Sequence, residues 1–249
     1  RCRMVANFGV GYNHIDVDTC GRHGVTVTNT PGAVTDATAD IAMTLMLMTA
    51  RRAGEGERMV RAGQWEGWHP TQLLGLHLTG RTVGIVGMGR IGIATARRAH
   101  AAFGMKVVFY NLIDVPEDHI AGMDAKRMDT IEDVLEAADV VSLHVPGGGD
   151  NTHLMNAERL ALIGPKGMLI NTARGDVIDQ AALVAALKDG KIGGAGLDVF
   201  EKEPEVPAEL IAMENTVLLP HLGSATTETR EDMGHMVADN LDAFFAGKP

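Results

Sequence analysis

The sequence is poor in cysteine, in aromatic side chains and in long apolar runs. Among its 249 residues are only two cysteines, Cys2 and Cys20, and 4% of the chain is aromatic. Two cysteines at this spacing provide neither a disulfide framework nor a metal-binding motif, so we expect a reducing cytoplasm and no metal site. The longest apolar run, residues 41–50, is too short to span a bilayer.

Basic residues are also in deficit. Lys and Arg number 22 against 32 Asp and Glu, which gives a formal net charge of −10. This balance argues against binding to nucleic acid or to anionic membranes, because both require a basic surface. No signal peptide is visible, but the chain starts at Arg1, inside an apparent strand, so we expect a preceding segment to be missing.

What the sequence does contain is a βαβ pattern over residues 81–110. An apolar run at 83–86 is followed by G-M-G-R-I-G, by an alanine-rich helical stretch ending near Gly104, and by a second apolar run at 106–110. In a dinucleotide fingerprint, Gly87 would allow the tight turn, Gly89 would let the backbone approach a pyrophosphate, and Gly92 would let the helix pack on its strand. The alternative is a glycine-rich turn in an ordinary α/β sheet.

The residue that selects the coenzyme should follow the second strand. A carboxylate there would bind the ribose 2′-hydroxyl of NAD, whereas an arginine would accommodate the 2′-phosphate of NADP. The strand ends in Asn111, which can bond a hydroxyl without repelling a phosphate, and the next basic residue is Lys126. The sequence therefore favours NAD over NADP.

Strand and helix patterns alternate after the fingerprint, which predicts an α/β fold with a doubly wound, Rossmann-type parallel sheet of about six strands. Before it, residues 1–6 and 24–28 are predicted strands and 35–52 a buried helix; residues 226–245 form a last helix. Packing is the favoured role for Trp65 and Trp68, and an interface or a substrate wall is the alternative. The predicted helices after the fingerprint are 131–138, 157–163 and 180–188, and the strands are 139–143, 167–171, 193–197 and 216–219.

Ligands of such a sheet bind at the carboxyl ends of its strands, where several polar side chains are expected. Arg174 could hold a keto acid by its carboxylate. A histidine could donate a proton as a carbonyl is reduced, and a neighbouring carboxylate would favour its imidazolium form. Spacing alone does not choose between His144 and His221 as this acid.

Five motifs in one order carry a resemblance to a known family. They are G-V-G-Y-N-H-I-D, the glycine fingerprint, N-T-A-R-G-D-V-I-D, G-L-D-V-F-E-K-E-P and L-L-P-H-L-G-S-A-T. Together they resemble the NAD(P)-dependent D-2-hydroxyacid dehydrogenases, from about Ala6 to the end of the chain. The W-E-G-W-H-P segment and the H-L-G-S-A-T run further resemble the glyoxylate and hydroxypyruvate reductase branch.

The resemblance implies a role for individual residues. Arg174 would bind substrate and His221 would be the catalytic acid/base, paired with Glu203; His144 would then belong to the coenzyme wall. Val10 and Gly11, otherwise typical of a plain loop, would offer backbone N–H groups to the substrate carboxylate. The coenzyme site would comprise Gly87, Gly89, Arg90, Ile91, Gly92, Asn111, Val145, Pro146, Thr172, Ala173, Asp198, His221 and Gly223.

The resemblance also implies an organisation and a set of partners. Residues 1–31 would be the last part of a flavodoxin-like substrate domain, 32–222 the dinucleotide-binding domain and 223–249 a helix returning to the first. A homodimer around helix 35–52 and the tryptophan loop, and a small 2-oxoacid or 2-hydroxyacid substrate, are expected. The alternatives are an NAD-sensing corepressor-like protein on the same scaffold and the phosphoglycerate or phosphite dehydrogenase branches.

Overall fold

The computed structural model describes residues 2–248 and contains two parallel sheets. The smaller sheet pairs β1 (Met4–Ala6) with β2 (Thr26–Thr28), and α1 (Val17–Arg22) connects them. The Arg3 guanidinium lies 5.3 Å from the centre of the Phe244 ring, so the last helix returns to this small sheet. The predicted division at residues 31 and 222 stays a prediction, and Arg1 of the first predicted strand lies outside the described residues.

The larger sheet has seven parallel strands in the order β5-β4-β3-β6-β7-β8-β9. Val83, Ile85 and Val86 are fully buried, as expected for a parallel strand that is covered on both faces. All seven strands run the same way, so their carboxyl ends meet at one edge. From β3 the strand order progresses outward in both directions, which confirms the predicted doubly wound fold. The strands are β3 (Thr82–Val86), β4 (Lys106–Tyr110), β5 (Ala125–Arg127), β6 (Val140–Leu143), β7 (Met168–Asn171), β8 (Gly194–Leu197) and β9 (Thr216–Leu218).

The strand that the sequence did not reveal is β5. It has three residues, Ala-Lys-Arg, and within residues 2–248 its one partner strand is β4, through Val107 with Ala125 and Phe109 with Arg127. An edge strand has one side in water and tolerates charged side chains, so it lacks the apolar run that marks the central strands. The sheet therefore exceeds the predicted six strands by one.

Helices cover both faces of the large sheet. On one face α2 and α4 pack together, and on the other α6, α7 and α8 form a layer. The predicted burial of the apolar helix is confirmed, since Ala39, Leu45 and Met46 of α2 are fully buried. The remaining helices are α2 (Thr35–Ala50), α3 (Ala53–Arg61), α4 (Arg90–Phe103), α5 (Glu117–Ile120), α6 (Ile131–Ala137), α7 (Ala157–Ile163), α8 (Gln180–Lys188), α9 (Ala208–Ala212) and α10 (Thr227–Phe245).

The two tryptophans lie at the surface. Trp65 is 56% exposed and Trp68 is 78% exposed, so the expectation that they serve as packing anchors within the chain is wrong. Their loop follows α3 and has no strand or helix of its own to bury them. Of the helices in residues 2–248, none combines the length and the apolarity needed to cross a lipid bilayer.

Candidate active site

A cleft of about 1130 Å³ lies at the carboxyl edge of the large sheet. Its other wall is the loop that follows β1, so the cleft is bounded by both sheets. The fingerprint glycines and Asn111 do not line it. The predicted site residues that do line it are Val10, Gly11, Arg90, Ile91, Val145, Pro146, Thr172, Ala173, Arg174, Asp198, Glu203, His221 and Gly223.

The glycine turn between β3 and α4 has the geometry that a dinucleotide requires. Gly87 has a φ of 96°, and a Cβ there would lie 2.7 Å from the backbone of His144. A Cβ on Gly92 would lie 2.2 Å from the carbonyl oxygen of Gly87. Both positions therefore exclude a side chain, one because of the turn and the other because of helix packing.

Two observations indicate that the carboxyl edge of the sheet can receive a ligand. Gly89 is the N-cap of α4, and no side chain among residues 2–248 caps the helix there. Apart from its neighbours in the chain, no described atom lies within 4 Å of its ideal Cβ position. The first N–H groups of α4 thus face open space, which suits a pyrophosphate. The hydroxyl of Thr172 is buried without a hydrogen-bond partner among the described residues. The residues present fit a dinucleotide.

The Asn111 side chain is held by two backbone groups. Its Oδ1 accepts a hydrogen bond from Met88 N at 2.8 Å, and its Nδ2 donates to Ile113 O at 3.0 Å. The amide side chain therefore connects the end of β4 to the glycine turn. Its two ends are already engaged by the backbone.

A histidine and a glutamate face each other across the cleft edge. Nδ1 of His221, which follows β9, lies 2.8 Å from Oε2 of Glu203, in the loop after β8. The other carboxylate oxygen, Oε1, accepts a hydrogen bond from Phe200 N at 3.0 Å. Glu203 is thus held by its own loop, and it orients the imidazole so that Nε2 remains available for chemistry.

Asp198 determines the backbone path through His221. Its two carboxylate oxygens accept hydrogen bonds from Leu222 N at 2.7 Å and from Gly223 N at 2.8 Å. Its carbonyl oxygen accepts a third from His221 N at 2.9 Å. Burial raises the pKa of Asp198, and the two N–H donors oppose that effect by stabilising the carboxylate. These bonds stabilise His221 at a φ of 56°, which is unusual for a residue with a side chain.

Arg174 reaches from the turn after β7 to the loop after β1. An ideal Cβ on Gly11 would lie 1.9 Å from Nη2 of Arg174, so only glycine permits this approach. The loop is fixed because Nδ2 of Asn7 donates to Gly9 O and Gly11 O at 3.0 Å, and Nδ2 of Asn29 donates to Val10 O at 2.8 Å. A planar cation and a glycine loop therefore share one end of the cleft.

The structure distinguishes the two histidines that spacing left open. The imidazole of His144 bonds to the Ser142 hydroxyl at 2.9 Å, and burial lowers the pKa of His144 to about 4. A histidine that stays neutral at physiological pH is a poor proton donor. Of the two, His221 alone pairs with a carboxylate, Glu203.

Three polar residues that support the site were not anticipated. Asn7 fixes the Gly9–Gly11 loop, Asp176 accepts a hydrogen bond from Gly148 N at 2.7 Å, and Thr38 donates to Gly223 O at 2.9 Å. Asp176 lies inside the N-T-A-R-G-D motif, which could have revealed it. Thr38 carried no signal, because it lies 185 positions from its partner in the chain.

Comparison with known proteins agrees with this geometry. Residues 43–223 match the family described as D-isomer specific 2-hydroxyacid dehydrogenase, NAD binding domain. The chain is 47% identical to a glyoxylate reductase of Thermococcus litoralis, over 100% of this chain and 75% of that protein. It is 48% identical to a glyoxylate reductase of Korarchaeum cryptofilum, over 100% of this chain and 74% of that protein.

Solved structures give the same result. The NADPH-dependent glyoxylate/hydroxypyruvate reductase of Sinorhizobium meliloti, in complex with NADP and malonate, superposes with a TM-score of 0.89 at 44% identity, over 98% of this chain and 74% of that one. The chain belongs to the D-isomer specific 2-hydroxyacid dehydrogenases, oxidoreductases that use NAD or NADP and act on small 2-hydroxyacids or 2-oxoacids.

Proposed function

We propose that this enzyme reduces glyoxylate and hydroxypyruvate to the corresponding 2-hydroxyacids. The observation that carries the proposal is the His221–Glu203 pair in the same cleft as Arg174 and the Gly9–Gly11 loop. This set can hold a carboxylate at one end and deliver a proton at the other. The relatives named as glyoxylate reductases, at 47% and 48% identity, support the choice of a small 2-oxoacid.

Arg174 is proposed to bind the substrate's carboxylate and carbonyl. Its guanidinium presents several N–H donors in one plane, which matches the two oxygens of a 2-oxoacid better than an ammonium group does. The backbone N–H groups of Val10 and Gly11 would share the carboxylate, as successive N–H groups in a turn can do. Substrate would then be oriented before any bond changes.

His221 is proposed to be the acid/base that touches the reacting oxygen. In reduction, Nε2 of the imidazolium would donate a proton to the substrate oxygen, and in oxidation the neutral ring would remove it. The Glu203 carboxylate, 2.8 Å from Nδ1, would stabilise the charged ring and select its tautomer. A bound nicotinamide coenzyme would supply or accept the hydride at the substrate's C2 carbon.

The coenzyme is proposed to lie along the carboxyl edge of the large sheet. The first turn of α4 would hold its pyrophosphate, and Asp198 would contact the nicotinamide end beside His221. The other residues proposed to bind it are Gly87, Gly89, Arg90, Ile91, Gly92, Asn111, Val145, Pro146, Thr172, Ala173 and Gly223.

Initial rates of NADH and NADPH oxidation test the activity. Glyoxylate, hydroxypyruvate and pyruvate would each be offered over a range of concentrations. The proposal expects kcat/KM for glyoxylate or hydroxypyruvate to exceed that for pyruvate. Tight coenzyme binding without turnover of any of the three would overturn it and direct attention to another 2-oxoacid.

The tryptophan loop is proposed to be part of a homodimer interface. Trp65, Trp68 and Leu74 are each more than half exposed, and Val60 of α3 is 60% exposed near them in sequence. Aromatic side chains at the surface are typical of interface cores. Light scattering should give a dimer for the protein and a monomer for Trp68→Glu. Ile211→Glu, at an apolar position on α9 that is 62% exposed, is the control and should remain dimeric.

A further inference from the structure

The short turn at residues 111–114 follows β4, where the selectivity of a dinucleotide fold for its coenzyme is decided. The Asn111 side chain is engaged by Met88 N and Ile113 O, so it pins the turn beside the glycine loop. Leu112 and Ile113 are 85% and 71% exposed and carry no charge. Selectivity for a phosphate must therefore come from a side chain outside this turn.

Such a side chain enters from the neighbouring edge strand. Arg127 is the last residue of β5, and its Nη2 donates to Asn111 O at 3.0 Å. Its Nη1 pairs with the carboxylate of Asp114. The guanidinium thus reaches across from β5 and lies against the turn that ends β4, although Arg127 lies 16 positions beyond Asn111 in the chain.

We propose that Arg127 binds the 2′-phosphate of NADP and gives this enzyme affinity for the phosphorylated coenzyme. In this fold the ribose that follows the glycine turn places its 2′ oxygen at the end of the second strand, and a nearby arginine accommodates a phosphate there. The planar guanidinium can donate two parallel hydrogen bonds to phosphate oxygens. This inference rests on the proposed function only in assuming that the coenzyme lies along the carboxyl edge of the large sheet.

Asp114 sets how strongly Arg127 attracts a phosphate. The Asp114 side chain is 95% exposed, so it can leave the guanidinium at little cost when a phosphate replaces it. Its negative charge also repels a phosphate at the same place. Asp114 therefore holds Arg127 in position when the coenzyme carries no 2′-phosphate, and it weakens the binding of one that does.

Binding of coenzyme fragments tests the proposal without any turnover. Calorimetry would compare 2′,5′-ADP with 5′-AMP, which differ only in the 2′-phosphate, and NADPH with NADH. Arg127→Ala should lower the affinity for 2′,5′-ADP and NADPH at least about tenfold, because a charge-assisted pair is lost. It should change the affinity for 5′-AMP and NADH by no more than about twofold. Arg127→Lys retains the charge but loses the planar fork, so its affinity for 2′,5′-ADP should lie between those of Arg127→Ala and the unmodified protein. Asp114→Asn should strengthen 2′,5′-ADP relative to 5′-AMP.

Arg81→Ala is the matched control. The Arg81 side chain is 47% exposed, close to the 44% of Arg127, and it is likewise paired with an aspartate, Asp139. Arg81 precedes β3 and so lies at the amino edge of the sheet, opposite the carboxyl edge. It should leave the discrimination between 2′,5′-ADP and 5′-AMP unchanged.

Equal loss of affinity for both fragments in Arg127→Ala would show that Arg127 only supports the turn and would overturn the proposal. An unchanged affinity for both fragments would also overturn it. If the protein discriminated between 2′,5′-ADP and 5′-AMP but turned over none of the 2-oxoacids, the proposed function would be refuted and this inference would stand.

Discussion

The Glu203 carboxylate lies 2.8 Å from Nδ1 of His221, with the two residues 18 positions apart in the chain. Glu203 follows β8 and His221 follows β9, and these strands are neighbours in the sheet. Phe200 N donates to Oε1 of the same carboxylate, while Asp198 accepts hydrogen bonds from the backbone after His221. The pair is therefore held from both sides, and the protein's own hydrogen bonds set its geometry.

Replacing Glu203 with glutamine should lower kcat about 10- to 100-fold, because an amide does not stabilise an imidazolium as a carboxylate does. Coenzyme affinity should change little, and steady-state kinetics would measure both. Glu201→Gln is the matched control. Glu201 lies in the same loop as Glu203 and also pairs with a histidine, His153, at 3.2 Å, but it has no role in the proposed chemistry. Equal losses in the two variants would contradict a special role for Glu203.

Arg174→Ala should lower kcat/KM about 100- to 1000-fold, because two charge-assisted hydrogen bonds to the substrate are lost. Arg174→Lys should recover only part of the activity, since an ammonium group lacks the planar fork. Affinity for NADH, measured by fluorescence titration, should stay close to that of the unmodified enzyme. Near-normal turnover in Arg174→Ala would remove Arg174 from the substrate site.

Gly11→Ala should damage catalysis more than folding. The new methyl group would lie 1.9 Å from Nη2 of Arg174, and the guanidinium would have to move away from the loop. We expect kcat/KM to fall at least about tenfold, as small displacements of a positioning group often cause, with little change in Tm. Gly21→Ala is the control and should retain activity, because Gly21 lies in α1 and its Cβ position meets no described atom outside the helix backbone within 4 Å. A Gly11→Ala enzyme with full activity would show that the guanidinium has other productive positions.

His144 should make stability depend on pH. Burial lowers its pKa from 6.5 to about 4, so in this range the unfolded chain binds a proton that the folded chain excludes. The stability that neutral His144 contributes is fully present above its pKa in the unfolded chain. It is lost as the pH falls towards its pKa in the folded chain. This loss is about 2 kcal/mol between about pH 7.5 and about pH 5. Urea unfolding of the protein and of His144→Asn at both pH values would measure it; an identical pH dependence in the variant would assign the effect to other groups.

Much of the fold could be predicted because the buried parallel strands are short apolar runs separated by helical periods. The glycine fingerprint was recognisable because its glycines recur at a fixed spacing in one turn, where Gly87 has a φ of 96° and Gly92 approaches the carbonyl oxygen of Gly87. Strand β5 could not be recognised, because an edge strand of Ala-Lys-Arg has no apolar pattern to mark it. The tryptophans show the same limit, since their side chains were predicted to pack but lie exposed in an irregular loop.

The sequence by itself determined the α/β class, the order of most elements and the set of polar residues at the strand ends. The tertiary structure decided which of these residues meet. It joined His221 to Glu203, paired His144 with Ser142, brought Arg174 against Gly11, and placed Arg127 of β5 at the turn after β4. The physical reason is that periodicity reports local burial, whereas contacts between strand ends depend on strand order, which hydrogen bonds between distant segments establish.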